Sequence, residues 1–245
     1  WYSSAVNLSL GKANPYFVRF ATSATTSVLA DAMAQKPSFY TLWIGNNDVL
    51  SYATSGGLGV DQKGNLDPST YGSNDITDPN VVASVKKNVI LGVKSANANS
   101  KGAIANIPYV TSIPYFTAVP YNPVPLSSAS ASTLNTSFSA INAKLKSVGM
   151  AERFSTLTAS TSNPVLIIDK SLTDISAYLP AQYAIYGQAR HATANDLILL
   201  PASSVIGIDP TTGLPPTSTS TKINGVTIPL ADQLVLTEKE AAKVI

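Results

Sequence analysis

The chain contains no cysteine and a single histidine, His191, among its 245 residues. Without cysteine there are no disulfide bonds, no thiolate zinc sites and no cysteine nucleophile. One imidazole leaves little room for a histidine-based metal site. The sequence also lacks a phosphate-binding P-loop and a dinucleotide-binding glycine motif. We therefore expect neither a metal ion nor a cofactor.

Charge is also scarce, since Asp, Glu, Lys and Arg make up only 12% of the residues. An average globular protein has about 25%. The net charge is +2, which offers no broad electrostatic surface to nucleic acid. No run of 18 uncharged apolar residues occurs, so we expect no transmembrane segment in this chain. Polarity comes instead from 30 Ser and 23 Thr, while 44% hydrophobic residues suffice for a sizeable core.

Hydrophobic patterning predicts alternating helices and strands. Apolar residues at helical spacing, together with cap signals, predict helices over 26–35, from Asp78-Pro79 onward, over 134–148 and from near Thr237. Short β-branched and aromatic runs predict buried strands over 39–44, 103–107, 164–169 and 197–200. Residues 51–80 are polar and rich in glycine, which favours a long surface loop. Helices alternating with strands are typical of βαβ units, so we predict an α/β fold with a mostly parallel sheet flanked by helices.

The most informative segment is Leu42-Trp43-Ile44-Gly45-Asn46-Asn47-Asp48, a predicted strand that ends in Gly-x-Asn-Asp. Gly45 permits an unusual turn, which Asp48 can brace. This block resembles the third conserved block of the SGNH (GDSL-type) hydrolases. The resemblance implies that the side-chain amide of Asn47 donates to the oxyanion of a tetrahedral intermediate, a type of contact that stabilises the transition state more than the ground state. The alternative is a tight turn without a catalytic role.

A second Gly-x-Asn-Asp occurs at Gly72-Ser73-Asn74-Asp75. No predicted strand precedes it, and it lies in the polar region that we predict as a loop. We therefore interpret this copy as a turn.

The resemblance to SGNH hydrolases covers most of the chain. Within that family the sequence is similar to a Bacteroidetes branch, whose members are typically exported lipoproteins. The segments that carry the resemblance are 14–50, 52–57, 196–198 and 230–240. It implies a flavodoxin-like fold and a serine esterase that hydrolyses carboxylic esters of lipids or acetylated carbohydrates through an acyl-enzyme. It also implies export to the cell surface or periplasm, with outer-membrane proteins as possible partners.

Two blocks of that family are missing from the chain. No Gly-Asp-Ser occurs, and the nearest match to Asp-x-x-His is Asp232-Gln233-Leu234-Val235, where valine replaces the imidazole. We therefore expect residues 1–245 to form a single SGNH-like domain that is incomplete at both ends, with the nucleophile and base outside this chain. The alternative is a non-catalytic accessory or binding lipoprotein of an outer-membrane assembly on the same scaffold.

A proline-tyrosine tract contains Tyr109, Tyr115 and Tyr121, each preceded by proline and spaced six residues apart. A rigid aromatic loop near a strand end can form an apolar wall for an acyl chain. Simple packing of a long connection explains the same pattern equally well.

Four other polar residues, His191, Asp169, Ser203 and Ser204, carry side chains capable of chemistry. A general base needs a nucleophile and an orienting carboxylate nearby, and the sequence around His191 indicates neither, so we interpret it as a loop or surface histidine. Asp169 ends a predicted strand, where capping of the next turn is more common than function. Ser203 and Ser204 follow an apolar run and are candidates for lining a pocket.

Overall fold

The computed structural model describes residues 7, 8, 10, 13–217 and 219–244. Its contacts divide the chain into two compact units. The first unit consists of the described residues up to Asn46 together with 62–70 and 77–108. The second consists of 47–61, 71–76 and the described residues from Tyr109 onward.

Helices and strands are intermixed up to the strand Leu166–Ile168, and the strands that follow it have no α-helix between them in the described part of the chain. The α-helices are α1 (Pro15–Val18), α2 (Val28–Ala34), α3 (Asn47–Thr54), α4 (Pro79–Ala96), α5 (Pro114–Thr117), α6 (Ser128–Ser147) and α7 (Glu238–Ala241). The strands are β1 (Phe39–Leu42), β2 (Lys101–Ile104), β3 (Leu166–Ile168), β4 (Ala189–His191), β5 (Leu197–Ile198) and β6 (Val235–Leu236). Short 3-10 helices occupy Pro68–Thr70, Val110–Ser112, Ser176–Tyr178, Ala181–Tyr186, Leu200–Ser204 and Asp232–Leu234.

The first unit contains a parallel pair of strands, in which β1 runs beside β2 from Phe39 opposite Lys101 to Leu42 opposite Ile104. We expected β1 to be buried on both faces, but Phe39 is 61% exposed and Trp43, just beyond the strand, is 63% exposed. Every residue of β2 is exposed as well. The prediction of a strand is therefore confirmed, and the prediction of its burial is wrong.

Helix α4 begins where the sequence predicts. The Asp78 carboxylate accepts a hydrogen bond from the Asn80 amide nitrogen at 2.7 Å, and Pro79 takes the first helical position. Gly92 lets α2 approach α4 closely, because a Cβ there would lie 3.1 Å from the sulfur of Met33. Of the apolar stripe that we predicted on this helix, Val93 is buried whereas Val85 is 48% exposed.

In the second unit, strand β3 separates two hydrophobic clusters. Leu166 contributes to a cluster with residues of α6, namely Phe138, Ile141 and Leu145. Ile167 points to the other cluster, which includes residues of β5 and β6. This alternation follows from the two-residue period of a strand, and burial of both faces explains why the sequence of β3 is continuously apolar.

Two asparagines of α6 hold the extended segment 153–157 along the helix. The Asn142 amide donates to the Phe154 carbonyl oxygen at 2.7 Å, and its oxygen accepts from the backbone nitrogens of Arg153 and Phe154. The Asn135 amide nitrogen likewise donates to the Leu157 carbonyl oxygen at 2.8 Å, and the Asn135 side-chain oxygen accepts from the Leu157 backbone nitrogen at 2.8 Å. The residues are seven apart, two helical turns, so both amides lie on one face of α6. Side chains thus supply hydrogen-bond partners to backbone groups of Arg153, Phe154 and Leu157.

The predicted mostly parallel, flavodoxin-like sheet is wrong. The described strands form three separate two-stranded sheets, of which only β1–β2 is parallel, while β3–β4 and β5–β6 are antiparallel. A parallel crossover needs a long connection, usually an α-helix, between its strands. The connection from β3 to β4 contains only turns and 3-10 helices, so the chain doubles back. The apolar run of β3 correctly indicated a buried strand, but no apolar run indicated the direction of its partner strand.

Candidate functional site

A glycine turn follows β1 in the first unit. Gly45 has φ +106°, a conformation that other residues rarely adopt. A Cβ at this position would lie 3.0 Å from the Cδ1 atom of Ile107. Next to it, Oδ1 of Asn46 is buried without a hydrogen bond to any described residue. The backbone conformation therefore favours glycine at Gly45, whereas a Cβ would require only a small shift of the Ile107 side chain.

Asn47 is the first residue of α3 in the second unit. Its side chain is exposed, and its amide makes no hydrogen bond with a described residue. Its carbonyl oxygen accepts the Ser51 hydroxyl at 3.1 Å, which fixes the backbone in the helix. Asp48 adds a carboxylate to the first turn, a favourable position relative to the helix dipole. The Asn47 side-chain amide is thus a neutral hydrogen-bond donor that faces solvent at the start of a helix. The sequence had predicted a loop from Ser51 onward, so the extent of α3 was missed.

The other end of α3 is anchored by the C-terminal part of the second unit. Gly56 has φ +70°, and a Cβ there would lie 2.6 Å from the carbonyl oxygen of Asp232. A Cβ on Gly57 would lie 2.6 Å from the Glu240 carboxyl carbon. The ring of Tyr52 is fully buried, with the Lys243 ammonium 5.5 Å from its centre. These contacts fix the helix that begins at Asn47.

The second Gly-x-Asn-Asp copy forms a closed turn, as predicted. The Asp75 carboxylate accepts from the backbone nitrogens of Gly72 at 2.8 Å and Val60 at 2.9 Å. The Asp75 amide nitrogen donates to the Gly72 carbonyl oxygen at 3.2 Å. No helix begins at Asn74, so this copy lacks the arrangement seen at Asn47.

The three tyrosines proposed to form an apolar wall have different surroundings. Tyr109 is 68% exposed. Tyr115 is partly buried, stands edge-on to Phe116, and donates its hydroxyl to the Thr54 carbonyl oxygen at 3.3 Å. Tyr121 packs against the hydrophobic cluster of β5 and β6. Tyr115 and Tyr121 therefore take part in packing within the second unit, and only Tyr109 presents most of its surface to solvent.

Ser203 and Ser204 lie in the 3-10 helix Leu200–Ser204 and are exposed. Their hydroxyls donate to the carbonyl oxygens of Leu200 at 2.7 Å and Pro201 at 2.9 Å. Both hydroxyls are thus used within the helix itself.

Arg190 joins two buried carboxylates. Its guanidinium donates from Nε to Asp169 at 2.7 Å and from both terminal nitrogens to Asp196. Burial opposes ionisation of both carboxyls, but the hydrogen bonds outweigh it and hold the pKa of each below its ordinary value. Asp169 also accepts from the Ser171 backbone nitrogen at 2.9 Å, which is the turn capping expected from the sequence. Every charge in this cluster has a partner, so its role is to hold the unit together.

His191 is buried in β4, so the expectation of a surface histidine is wrong. Its Nδ1 accepts a hydrogen bond from the Ser155 backbone nitrogen at 3.0 Å, and the Ser155 hydroxyl lies 2.9 Å from the same atom. Burial lowers the pKa of His191 to about 4. The imidazole is therefore neutral at pH 7, with its proton on Nε2.

The Ser155–His191 pair supplies a nucleophile within reach of the histidine, which the sequence did not indicate. No carboxylate contacts the imidazole among the described residues, so the usual orienting group is lacking. Ser155 is 36 residues from His191 and lies in no known motif, so sequence spacing offered no signal for the pair.

Within the described ranges, no three His, Asp or Glu side chains are placed to hold a metal ion. No helix there is both long enough and apolar enough to cross a membrane. Comparison of the chain with protein-family models, curated proteins and solved structures finds no match. The SGNH resemblance therefore rests only on the sequence segments quoted above.

Proposed function

We propose that this chain is part of a serine ester hydrolase of the SGNH type and that Asn47 donates a hydrogen bond to the oxyanion. The observation that carries the proposal is the exposed, unbonded amide of Asn47 at the first position of α3. It follows directly in sequence on the strand and glycine turn that the family's third block contains. The proposal rests on this block and not on a flavodoxin-like sheet.

An amide at this position suits an oxyanion for two reasons. It is neutral, so it gains little from an uncharged ester carbonyl and more from the negative oxygen that forms in the tetrahedral intermediate. The first backbone N–H groups of a helix lack intrahelical acceptors, and the helix dipole is positive at that end. The N-terminus of α3 thus places further donors, its first backbone N–H groups, beside Asn47.

The nucleophile and the base are proposed to come from sequence outside these 245 residues, because Gly-Asp-Ser and Asp-x-x-His are absent from them. The substrates proposed are carboxylic esters of lipids or acetylated carbohydrates. Export as a cell-surface or periplasmic lipoprotein belongs to the same proposal.

The experiment compares Asn47→Ala with Asn74→Ala in a full-length protein that carries the flanking sequence. Both variants remove an asparagine from a Gly-x-Asn-Asp, but only Asn47 opens a helix. We expect Asn47→Ala to lower kcat on p-nitrophenyl esters by about 10²–10³, with little change in KM or melting temperature. Asn74→Ala should leave kcat unchanged.

Equal kcat values for the Asn47→Ala variant and the parent protein would refute the oxyanion assignment. A full-length protein with no ester turnover at all would refute the hydrolase proposal and favour the non-catalytic lipoprotein.

A further inference from the structure

We propose that Ser155 and His191 form a second reactive pair, in which the exposed hydroxyl of Ser155 is a nucleophile toward activated acyl and phosphoryl esters. The observation that carries this inference is a surface serine whose Oγ lies 2.9 Å from the Nδ1 atom of a buried histidine. The inference is independent of the proposed function, because it uses no residue of the block 45–48.

The imidazole is held in place from several sides. In β4 the backbone of His191 is opposite Leu166, and its amide nitrogen donates to the Arg153 carbonyl oxygen at 3.0 Å. The rings of Phe138 and Phe154 stand edge-on to the imidazole, at centroid distances of 5.0 and 5.7 Å. Because the ring is fixed in this way, Nδ1 is already directed toward Ser155 before any reaction begins.

The protonation state also suits acceptance of a proton. The Ser155 backbone N–H donates to Nδ1 at 3.0 Å, which makes Nδ1 the unprotonated nitrogen of a neutral ring. The hydroxyl of Ser155 shares that acceptor. At neutral pH the imidazole is uncharged and needs no prior deprotonation to act as a base.

A cavity of about 320 Å³ opens at Ser155, between α6 and the segment 152–156. Its lining includes Ser139, Asn142, Lys146, Glu152 and Phe154. The space admits a small acyl or phosphoryl group beside the hydroxyl, with both polar and aromatic neighbours.

The reaction is a transfer to the serine. Oγ of Ser155 bonds to the carbonyl carbon of an ester as its proton passes to Nδ1 of His191, and the bond to the leaving oxygen then breaks. The leaving oxygen takes the proton from the imidazolium, so the products are acyl-Ser155, the released alcohol and neutral His191. With a fluorophosphonate the P–F bond breaks instead and hydrogen fluoride leaves. Because burial makes His191 a weak base, only good leaving groups such as nitrophenolate or fluoride should react readily.

The test is labelling of the full-length protein with a fluorophosphonate probe, followed by peptide mapping of residues 1–245. Within these residues we expect one label, located at Ser155, and none in the Ser155→Ala variant. Ser147→Ala is the matched control, since Ser147 is exposed on α6 outside the cavity and its hydroxyl donates to the Lys144 carbonyl oxygen rather than to an imidazole. It should leave the labelling rate unchanged. His191→Asn should slow labelling by about 10²-fold, the lower end of a general base's contribution.

A second measurement covers the case in which the His191 variant does not fold. Labelling of the unaltered chain in native buffer is compared with labelling in denaturing urea, where the pair is separated. Loss of the label at Ser155 in urea supports the proposal. Labelling at Ser155 that is no faster than at other serines, or that is equally fast in urea, would overturn it, as would an unchanged rate in a folded His191→Asn variant.

Discussion

The two carboxylate oxygens of Asp196 accept hydrogen bonds from the two terminal nitrogens of Arg190, at 2.6 and 2.7 Å. Asp196 also accepts from the backbone nitrogens of Thr193 at 2.7 Å and Glu238 at 3.1 Å. Through Arg190 the same network includes Asp169 at the end of β3. One guanidinium therefore ties β3 and β4 to the start of α7.

Removing one partner of this network should be costly. Asp196→Ala leaves a largely buried guanidinium and two backbone donors without their acceptor, so we expect the free energy of unfolding to fall by about 3–5 kcal/mol. Lys170→Ala is the comparison, because it removes the Lys170–Asp232 pair, in which Lys170 is mostly exposed. That loss should be smaller, because the ammonium group removed is mostly solvated, even though the Asp232 carboxylate that it contacts is only 11% exposed. Urea unfolding of both variants measures the difference, and similar losses would contradict the structural role of Asp196.

Burial of His191 predicts a pH dependence of stability. The pKa of the folded imidazole is about 4, against 6.5 for an unperturbed histidine. Between these values only the unfolded chain binds the proton, so stability is full above pH 6.5 and declines as the pH falls toward 4. The expected loss is about 3 kcal/mol over that range.

His191→Asn isolates this effect, because Asn offers an acceptor to Ser155 but does not titrate. Glu240, whose pKa is raised by burial, is common to both proteins, so its contribution cancels in the comparison. Urea midpoints from pH 7.5 to 4 should therefore fall more steeply for the unaltered chain than for His191→Asn. Parallel curves would show that His191 titrates normally.

The contact of Gly56 with Asp232 predicts the effect of a single methyl group. Gly56→Ala combines a positive φ with a Cβ 2.6 Å from a backbone oxygen. Gly149→Ala is matched for φ, at +75°, but no atom lies within 4 Å of its Cβ. We expect Gly149→Ala to cost about 1 kcal/mol from backbone strain alone and Gly56→Ala about 1–3 kcal/mol more. Thermal or urea unfolding measures both, and equal losses would mean that α3 is not anchored at Gly56.

The hydrogen bonds by which Asn142 holds segment 153–157 can also be tested. Asn142→Ala removes the partners of three backbone groups in Arg153 and Phe154, so we expect a loss of about 1–3 kcal/mol. Thr136→Ala on the same helix removes only a local bond to the Ser132 carbonyl oxygen and should cost much less. Faster amide hydrogen exchange at Phe154 in Asn142→Ala, but not in Thr136→Ala, would show that the Asn142 side chain holds segment 153–157. Unchanged exchange would contradict it.

Local features of this fold could be predicted from the sequence, whereas pairing could not. Asp78-Pro79 marked the start of α4, because a helix cap is a property of neighbouring residues. The apolar spacing correctly placed Phe138, Ile141 and Leu145 on the buried face of α6, but Val148, which the same spacing placed there, is 43% exposed. The antiparallel partners of β3 and β5 lie 20 or more residues away, and nothing in the runs themselves specifies their direction.

The candidate sites divide in the same way. The block 45–48 was found because its residues are consecutive, and the glycine and asparagine have separate physical reasons to be there. Ser155 escaped notice because an exposed serine among 30 becomes distinctive only when the fold brings it to His191. The same holds for Arg190, whose two carboxylates come from different turns. That residues 1–245 form one domain stays a prediction.

The most direct test of the proposed function measures how tightly a boronic acid, which forms a tetrahedral adduct with an active serine, binds to the full-length protein and its Asn47→Ala variant. An oxyanion donor contacts that adduct but not the ground-state ester. We predict that Asn47→Ala weakens boronate binding by about the same factor, 10²–10³, by which it lowers kcat/KM. Undiminished boronate affinity in the Asn47→Ala variant would contradict the account.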